Sequence, residues 1–161
     1  MVSTGVPQMM VPVRSLAEVQ GLDAGQLNVA ALNRACDAVG TDCVMAFTFE
    51  TERPEATVHV RMFAPRLGVT SDPATGSANG ALGAYLVHHA SASSALCAAT
   101  SSALRQAVPI TEPTTHILSE QGAEIDWPST FDVEVDSAGE EITTVRVSGQ
   151  VVLVAEGVVR F

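Results

Sequence analysis

The sequence has no lysine: all eight of its basic residues are arginine, against 18 aspartates and glutamates. Without a lysine amine, no Schiff base can form within the chain, which excludes a standard pyridoxal-phosphate enzyme. The formal net charge of -10 also argues against a nucleic-acid partner, because binding a phosphate backbone requires a basic face.

Long apolar runs are also missing. No stretch approaches the roughly 18 uninterrupted apolar residues of a membrane span, and residues 1–15 lack the basic start and apolar centre of a signal peptide. Hydrophobic residues nevertheless make up 47% of the chain, enough for a folded core. We therefore expect one soluble, cytoplasmic domain over residues 1–161, with no membrane partner.

Cysteine is scarce and scattered, at positions 36, 43 and 97. Such a set forms neither a disulfide framework nor a CxxC metal site, so we interpret the cysteines as buried small apolar residues. His59 and His116 lie far apart without ligand spacing, and no metal site is predicted. His88 and His89 follow an apolar segment, where they favour the C-terminal end of a helix.

The first half of the chain alternates between strand and helix patterns. Strands are predicted over 7–13, 43–49 and 57–63, the last with a clear alternation of more and less apolar positions. A charged turn is expected over 51–56. An amphipathic helix is predicted over 22–40, because Asp23 and Gln26 have capping-box spacing and Gly40 favours a helix end.

The last third indicates strand after strand. Candidate strands cover 115–122, 130–135, 142–149, 150–157 and 158–161, separated by turn residues. Residues 88–108 are biased toward Ala and Ser, and the pattern leaves open a helix or a mobile excursion. The segment 77–87 is apolar or small nearly all round, which predicts a helix buried on every side. The fold class is therefore α+β, a curved, mostly antiparallel sheet wrapped around a central apolar helix.

A short polar turn precedes that helix, with the sequence Asp-Pro-Ala-Thr-Gly-Ser-Ala over residues 72–78. A helix beginning near Gly76 leaves its first backbone N–H groups without internal partners, although Thr75 or Ser77 can cap one of them. The remaining N–H groups lie at the positive end of the helix dipole and suit a carboxylate or phosphate. Asp72 could relay a proton or bind an amine. On spacing alone, the simpler reading, a turn that only starts a helix, is favoured.

A longer match changes that balance. The segment from Arg61 to Leu86 resembles the signature of the PhzF-like family, the phenazine-biosynthesis isomerases and their relatives. The matching positions are Arg61, Phe63, Ala64, Pro65, Gly68 and all of residues 72–78. Weaker similarities at residues 3–13, 119–129 and 147–161 extend the resemblance over nearly the whole chain, but only over the second half of a family member.

The resemblance implies a diaminopimelate-epimerase fold, with two pseudo-symmetric domains and an active site in the cleft between them. It implies that Asp72 is a catalytic carboxylate and that Ser77 acts beside it. It also implies that Thr75, Gly76, Ser77 and Ala78 bind the carboxylate of a small substrate. No metal or organic cofactor is implied, because family members move a proton between carbons with side chains alone.

Three departures from the family pattern affect this interpretation. The first domain, which carries the main glutamate base of the isomerases, has no counterpart in the sequence. Ser71 stands where the family usually has a glutamate, and Trp127 stands where an arginine is expected. Trp127 could contact a partner or cover the cleft, but a partly buried core or surface aromatic is at least as good an explanation.

Three assemblies remain open. The chain could pair with a separate N-terminal-half protein, form a homodimer in which two copies of Asp72 face each other, or serve as a non-catalytic subunit that binds an anion or a partner. Each predicts an apolar interface. Candidates for a substitute base are Glu112, Glu120 and Glu124, and Arg61 could form a salt bridge or contact the substrate carboxylate.

Overall fold

The structure, a computed structural model, describes residues 1–23, 25–91, 104 and 106–160. The strands are β1 (Val2–Ser3), β2 (Pro7–Pro12), β3 (Cys43–Thr48), β4 (Val58–Ala64), β5 (Val69–Asp72), β6 (Thr114–Gln121), β7 (Ser129–Ala138) and β8 (Glu141–Ser148). Helices α1 (Leu16–Gln20), α2 (Val29–Val39) and α3 (Gly76–Ser91) accompany the sheet, and 3-10 turns cover Pro65–Leu67 and Ala123–Ile125.

All eight strands belong to one mixed sheet. The strand order is β1-β2-β3-β4-β6-β7-β8, and β5 pairs with β4 beside this path. The pairs β2–β3 and β4–β6 are parallel, and the other pairs are antiparallel. The fold class is therefore α+β, as the sequence predicts.

The sheet is strongly curved. Helix α3 contacts β1 and β2 near one end of the strand order and β6, β7 and β8 at the other. Seven strands spaced about 4.8 Å apart span roughly 30 Å, too far for one helix to touch both edges of a flat sheet. The sheet is therefore curled, so that strands near both of its ends contact the same helix.

Helix α3 packs closely against β7. A Cβ placed on Gly83 would lie 2.5 Å from Cγ1 of Val133 and 3.2 Å from Cγ2 of Val135, so only glycine fits between helix and sheet. The expectation of burial on every side is too strong: Ala84 and Tyr85 are half-buried. Ser77 and His88, near the two ends of the helix, are exposed.

Strands β3 and β4 are buried at every position. The predicted alternation in β4 correctly separates two faces, but the less apolar face is covered as well. Helix α1 contacts β3 and β4 on that side, and the side chains of His59 and Arg61 lie buried beneath the surrounding segments. The apolar face contributes Val58, Val60 and Met62 to the main core.

The helix predicted over 22–40 is shorter than expected. It begins at Val29, and its N-cap is Asn28, whose side-chain oxygen accepts a hydrogen bond from the Ala31 N–H at 3.0 Å. Asp23 instead accepts a 3.0 Å hydrogen bond from the Gln26 side chain, before the helix, so the predicted capping box was wrong. Gly40 ends the helix, as predicted.

Sequence patterns do not predict α1, because it has only 5 residues, little more than one turn, and a single buried residue, Val19. Ser15 caps this helix by accepting a 3.3 Å hydrogen bond from the Glu18 N–H. Its C-terminal end lies over the buried face of β4.

The last two predicted strands, 150–157 and 158–161, are wrong over their described part. No strand is assigned to residues 149–160, and six large apolar side chains there are 77% to 94% exposed: Val151, Val152, Leu153, Val154, Val158 and Val159. Valine favours an extended backbone, but a strand also requires a neighbour with free backbone groups. We call residues 150–160 the C-terminal tail.

The uncertain segment 88–108 resolves only in part. Helix α3 continues through Ser91, and most of the remainder, with Cys97, lies outside the described residues. Cys36 and Cys43 are free and buried, as predicted, and burial raises the pKa of each thiol. In the described part of the chain, no helix is long and apolar enough to cross a membrane.

Candidate functional site

The candidate site is the loop from Asp72 to Ser77, between β5 and α3. Asp72 is the last residue of β5 and pairs with Met62 of β4, so the sheet fixes its backbone. The first helical hydrogen bond runs from the Asn79 N–H to the Thr75 carbonyl at 3.0 Å. The loop therefore joins the end of a strand to the N-terminus of the buried helix.

Asp72 is half-buried and bound on one side. The Thr75 hydroxyl donates a short hydrogen bond to Oδ2 of Asp72. Oδ1 has no hydrogen-bond partner among the described residues. The hydrogen bond from Thr75 thus orients the carboxylate through Oδ2.

Gln121, at the end of β6, holds the loop in place. Its side-chain N–H groups donate to the Asp72 carbonyl at 2.6 Å and to the Thr75 hydroxyl at 3.0 Å. Its side-chain oxygen accepts from the Thr75 N–H at 3.3 Å and from the Asn79 side chain at 2.9 Å. Gln121 is itself almost fully buried, so these bonds are sheltered from water.

Neither Gln121 nor Asn79 was singled out in the sequence as a site residue. The available signal was a glutamine at the end of an apolar strand, where a buried amide needs partners. The sequence alone gave no means of identifying those partners, because Gln121 and Asp72 are 49 positions apart.

Gly122 lets the loop approach the sheet. It adopts φ +87°, and a Cβ there would lie 2.4 Å from the Trp127 carbonyl oxygen and 2.7 Å from the Pro73 carbonyl oxygen. Both contacts are to backbone atoms, which cannot move aside as a flexible side chain can. The turn after β6 and the site loop are therefore packed backbone against backbone.

The start of α3 presents donors to open space. Within the helix, the N–H groups of Gly76, Ser77 and Ala78 have no carbonyl four residues earlier to bind. A Cβ built on Gly76 would meet nothing within 4 Å, and the Ser77 side chain is exposed. These features suit an incoming anion at the positive end of the helix dipole.

The substrate-binding residues expected from the resemblance thus lie together. They differ in whether the side chain or only the backbone is free to bind a ligand. Thr75 does not cap the helix with its hydroxyl, as one alternative had it, because that group bonds to Asp72 and Gln121. Ala78 has a fully buried side chain, so only its backbone could take part in binding. Ser77 remains the one exposed hydroxyl at the helix start, and its carbonyl accepts a 2.9 Å bond from Thr4.

The candidate substitute bases are bound elsewhere. Glu120 and Glu124 each lie within 2.8 Å of a ring nitrogen of His59, on the face of β4 and β6 opposite Gln121. Arg61 is buried beside Glu124 and donates to carbonyls at the end of α1, so the salt-bridge alternative describes it. Glu112 accepts a 3.2 Å bond from the Gly139 N–H.

Two residues that differ from the family pattern, Ser71 and Trp127, lie near the site loop in sequence or in contact with its neighbours. Ser71 is half-buried in β5, next to Asp72. Trp127 is 68% exposed, so it is a surface aromatic and its surface is free to contact a partner. Among the described residues, no group of three or more His, Cys, Asp or Glu side chains could hold a metal ion.

This fold and this loop define a family. The model of the phenazine biosynthesis-like proteins, PhzC-PhzF, matches residues 1–157, and the chain belongs to that family. The fold agrees with the crystal structure of a Bacillus anthracis phenazine biosynthesis protein of the PhzF family. The TM-score is 0.69 at 21% identity, over 91% of this chain and 43% of that one.

Curated relatives of the chain are named isomerases. An uncharacterized isomerase of Clostridium acetobutylicum is 34% identical over 95% of this chain and 44% of its own length. The trans-2,3-dihydro-3-hydroxyanthranilate isomerase of Pseudomonas aeruginosa is 37% identical over 60% of this chain and 28% of its own length. The chain thus spans less than half the length of these relatives.

Proposed function

We propose that this chain contributes half of the active site of a cofactor-independent isomerase or epimerase. The substrate is a small carboxylate, and the reaction moves a proton between carbons by general acid/base catalysis. One observation supports this most: Asp72, oriented by its hydrogen bond from Thr75, lies in the loop that leads directly into the N-terminus of α3, where a carboxylate can bind.

Each loop residue has a separate role in this proposal. The N–H groups of Gly76, Ser77 and Ala78 bind the substrate carboxylate, and the Ser77 hydroxyl adds a hydrogen bond. Asp72 exchanges a proton with a carbon near that carboxylate. Thr75 orients Asp72 through its hydroxyl, and Gln121 holds both at fixed separation.

The reaction requires a second acid/base group, which we propose comes from another chain. Glu120 and Glu124 are bound to His59, which leaves them unsuited to act beside Asp72. A homodimer would supply a second Asp72, and two carboxylates in one cleft divide into an acid and a base by mutual repulsion. A separate N-terminal-half protein would supply a base of its own.

The exposed C-terminal tail supports an obligatory partner. Six large apolar side chains in solvent form more apolar surface than one folded chain usually leaves uncovered.

The test is carbon-bound hydrogen exchange in the assembled protein. Small carboxylates, including trans-2,3-dihydro-3-hydroxyanthranilate, are incubated in deuterium oxide, and deuterium at carbon is measured by mass spectrometry. We expect incorporation with the wild-type assembly and its loss, by at least about 10²-fold, with Asp72→Asn. The matched control Asp132→Asn, an exposed aspartate of β7, retains the exchange.

A non-catalytic subunit that binds an anion or a partner is the second candidate. The commitment of Glu120 and Glu124 to His59 favours it, because no second base is then identified in this chain. Under this alternative, carboxylates shift the amide resonances of Gly76 and Ser77, but no assembly exchanges carbon-bound hydrogen.

Full exchange activity in Asp72→Asn would reject our catalytic assignment.

A further inference from the structure

A buried cluster of four ionisable side chains lies on the opposite face of the sheet from the site. His59 and Arg61 of β4 are 0% and 5% exposed, and the side chains of Glu120 and Glu124 are 6% and 8% exposed. Nδ1 of His59 lies 2.8 Å from Glu120, and Nε2 lies 2.7 Å from Glu124. Arg61 Nε lies 3.9 Å from Glu124.

With both carboxylates ionised, the two contacts of the ring require a proton on each nitrogen. A neutral imidazole has one N–H and one lone pair, and the lone pair would face a carboxylate oxygen. A doubly protonated ring donates to both carboxylates, and with Arg61 the four side chains then balance two positive charges against two negative ones. This pairing is what makes burial of four charged groups tolerable.

The cluster joins several segments of the fold. Glu120 also accepts hydrogen bonds from the N–H groups of Glu52, at 2.6 Å, and Arg53, at 3.2 Å. Arg61 donates to three carbonyls at and after the end of α1. Glu124 belongs to the 3-10 turn that follows β6. His59 therefore connects the end of β6 to the turn beyond it.

The site loop rests on two of the three residues between those carboxylates, Gln121 and Gly122. Gln121 holds Asp72 and Thr75 by hydrogen bonds, and the backbone of Gly122 contacts Pro73. Because Glu120 and Glu124 flank Gln121 and Gly122, a ring that binds both carboxylates fixes the segment on which the loop sits. If one carboxylate were released, the turn could move and carry the loop with it.

We propose that His59 is a positioning residue for the Asp72–Ser77 loop and acts through Glu120, Glu124 and the segment between them. The proposal rests on the function proposed above, because it concerns the geometry of the same loop. It makes the loop sensitive to the protonation of a ring that no substrate touches. His59 loses a ring proton to solvent as the pH rises, and one of its two carboxylate bonds is then lost.

The direction of the titration agrees with this arrangement. Burial by itself lowers the pKa of His59, but hydrogen bonds and charges from Glu124 and Glu120 outweigh burial and raise it above its ordinary value. The groups that face the ring are Glu120 from β6 and Glu124 from the turn, with Arg61 beside them on β4. The loop should therefore remain in place at neutral pH and loosen in alkaline solution.

The test follows the loop by nuclear magnetic resonance. The amide resonances of Thr75, Gly76 and Gly122 in the full chain are recorded from about pH 5 to pH 10, together with the ring resonances of His59. We expect the amides to shift with the midpoint of His59, and we expect His59→Gln to abolish that transition. The matched control His116→Gln, at a 71% exposed histidine of β6, retains it.

A second variant keeps the ring and removes one charge. In Glu124→Gln, the midpoint of His59 falls by about one pH unit or more, because an opposite charge in contact has been lost. The midpoint of the transition in the loop amide resonances must fall by the same amount. Amides that do not respond at the His59 midpoint, or that keep their own midpoint in this variant, would overturn the proposal.

Failure of this proposal can be distinguished from failure of the proposed function. Sodium acetate serves as a probe of the anion site, by the shifts it produces in the Gly76 and Ser77 amides at fixed pH. If acetate produces no shift, the anion site is refuted, while the pH titration still decides the role of His59. If acetate binds but the loop amide resonances do not shift at the midpoint of His59, only the positioning role of His59 is refuted.

Discussion

At the scale of single residues, the site loop is held by the hydrogen bonds of one buried side chain and by one close backbone contact. Gln121 satisfies its side-chain donors and acceptor on Asp72, Thr75 and Asn79, and Gly122 adds a backbone contact. A buried amide that loses such partners costs about 1–3 kcal/mol, so these positions tolerate few substitutions.

Gly122→Ala tests the backbone contact. The Cβ would meet two backbone oxygens closer than 3.0 Å, in a left-handed conformation that is already unfavourable for alanine. We expect a loss of about 2–4 kcal/mol in the free energy of unfolding, measured by urea denaturation, and shifted amide resonances over residues 72–77.

Gly139→Ala is the matched control, because Gly139 has φ +64° but no atom within 4 Å of the built Cβ. It should lose only the roughly 1–2 kcal/mol of the left-handed conformation. Equal losses in the two variants would mean that the contact with Pro73 carries no energy.

The His59 cluster predicts that the free energy of unfolding falls at both high and low pH. The folded pKa of His59 is raised, so its contribution is complete below the ordinary imidazole value and disappears as the pH rises through the folded value. Burial by itself raises the pKa of Glu124, but hydrogen bonds from His59 and from the backbone outweigh burial, and the net pKa is lowered. The contribution of Glu124 to stability is therefore lost as the pH falls through that lowered pKa.

Urea denaturation of wild-type chain and of His59→Gln, as a function of pH, measures this profile. We expect the wild type to lose stability on the alkaline side of neutrality, over the range in which His59 titrates. The variant should be less stable near pH 7, and the difference between the two proteins should narrow as the pH rises. A constant difference across the range would show that the ring is not charged in the folded chain.

At the scale of elements, the position of the site is set by how α3 packs. The helix starts where β5 ends and runs across the concave face of the curled sheet, so its N-terminus is exposed while its middle is buried. Small residues on α3 allow the close approach, and Gly83 is the tightest point.

Gly83→Ala should destabilise the chain despite the higher helix propensity of alanine. The added Cβ would overlap the buried side chain of Val133, and such overpacking costs about 1–3 kcal/mol, more than the gain of about 1 kcal/mol in helix propensity. Thermal unfolding measures the difference.

Gly76→Ala makes the same change at the start of the same helix, where a Cβ meets open space. We expect a change within about 0.5 kcal/mol of zero for this variant. If Gly83→Ala were equally neutral, the separation between α3 and β7 would have to be larger than described.

At the scale of the whole molecule, the chain exposes an apolar surface that its own sheet leaves uncovered. The C-terminal tail and Trp127 carry half of the exposed large apolar side chains among the described residues, including the most exposed ones. An assembly that buries the tails of two copies would remove an area on the order of the 1,200–2,000 Å² of stable interfaces.

Light scattering at several concentrations should therefore show a dimer of this chain, or a monomer that forms a complex with an N-terminal-half protein. Leu153→Asp in the tail should weaken either assembly by at least about tenfold, because a charge would be buried against apolar surface. Ala35→Asp, on the exposed face of α2, is the control with the same added charge.

Trp127 offers an independent measurement, since it is the only tryptophan in the chain. Its fluorescence maximum should move to shorter wavelength as the assembly forms. A chain that remains monomeric with every partner tried, and whose tryptophan emission never changes, would contradict the proposed assembly.

Much of this protein could be predicted from local sequence. The Asp72–Ala78 turn, the start of α3 near Gly76, the end of α2 at Gly40 and most of the strands follow from residue types a few positions apart. The family resemblance rests on the same short-range pattern, and the family match over residues 1–157 confirms it.

Other features could not be predicted locally. The C-terminal tail has the composition of a strand, yet no strand neighbour is described for it. Helix α2 begins at Val29, seven residues after the predicted start at residue 22, because its cap is Asn28 while Asp23 binds the Gln26 side chain before the helix.

The sequence by itself determined the fold class, the family and the polar turn that starts the buried helix, because these depend on periodicity and on contiguous residue types. Only the tertiary structure decided that Gln121 holds Asp72, that His59 binds Glu120 and Glu124, and that Arg61 is enclosed. These partners are separated by 49 to 65 positions, and only the curled sheet brings them within hydrogen-bond distance.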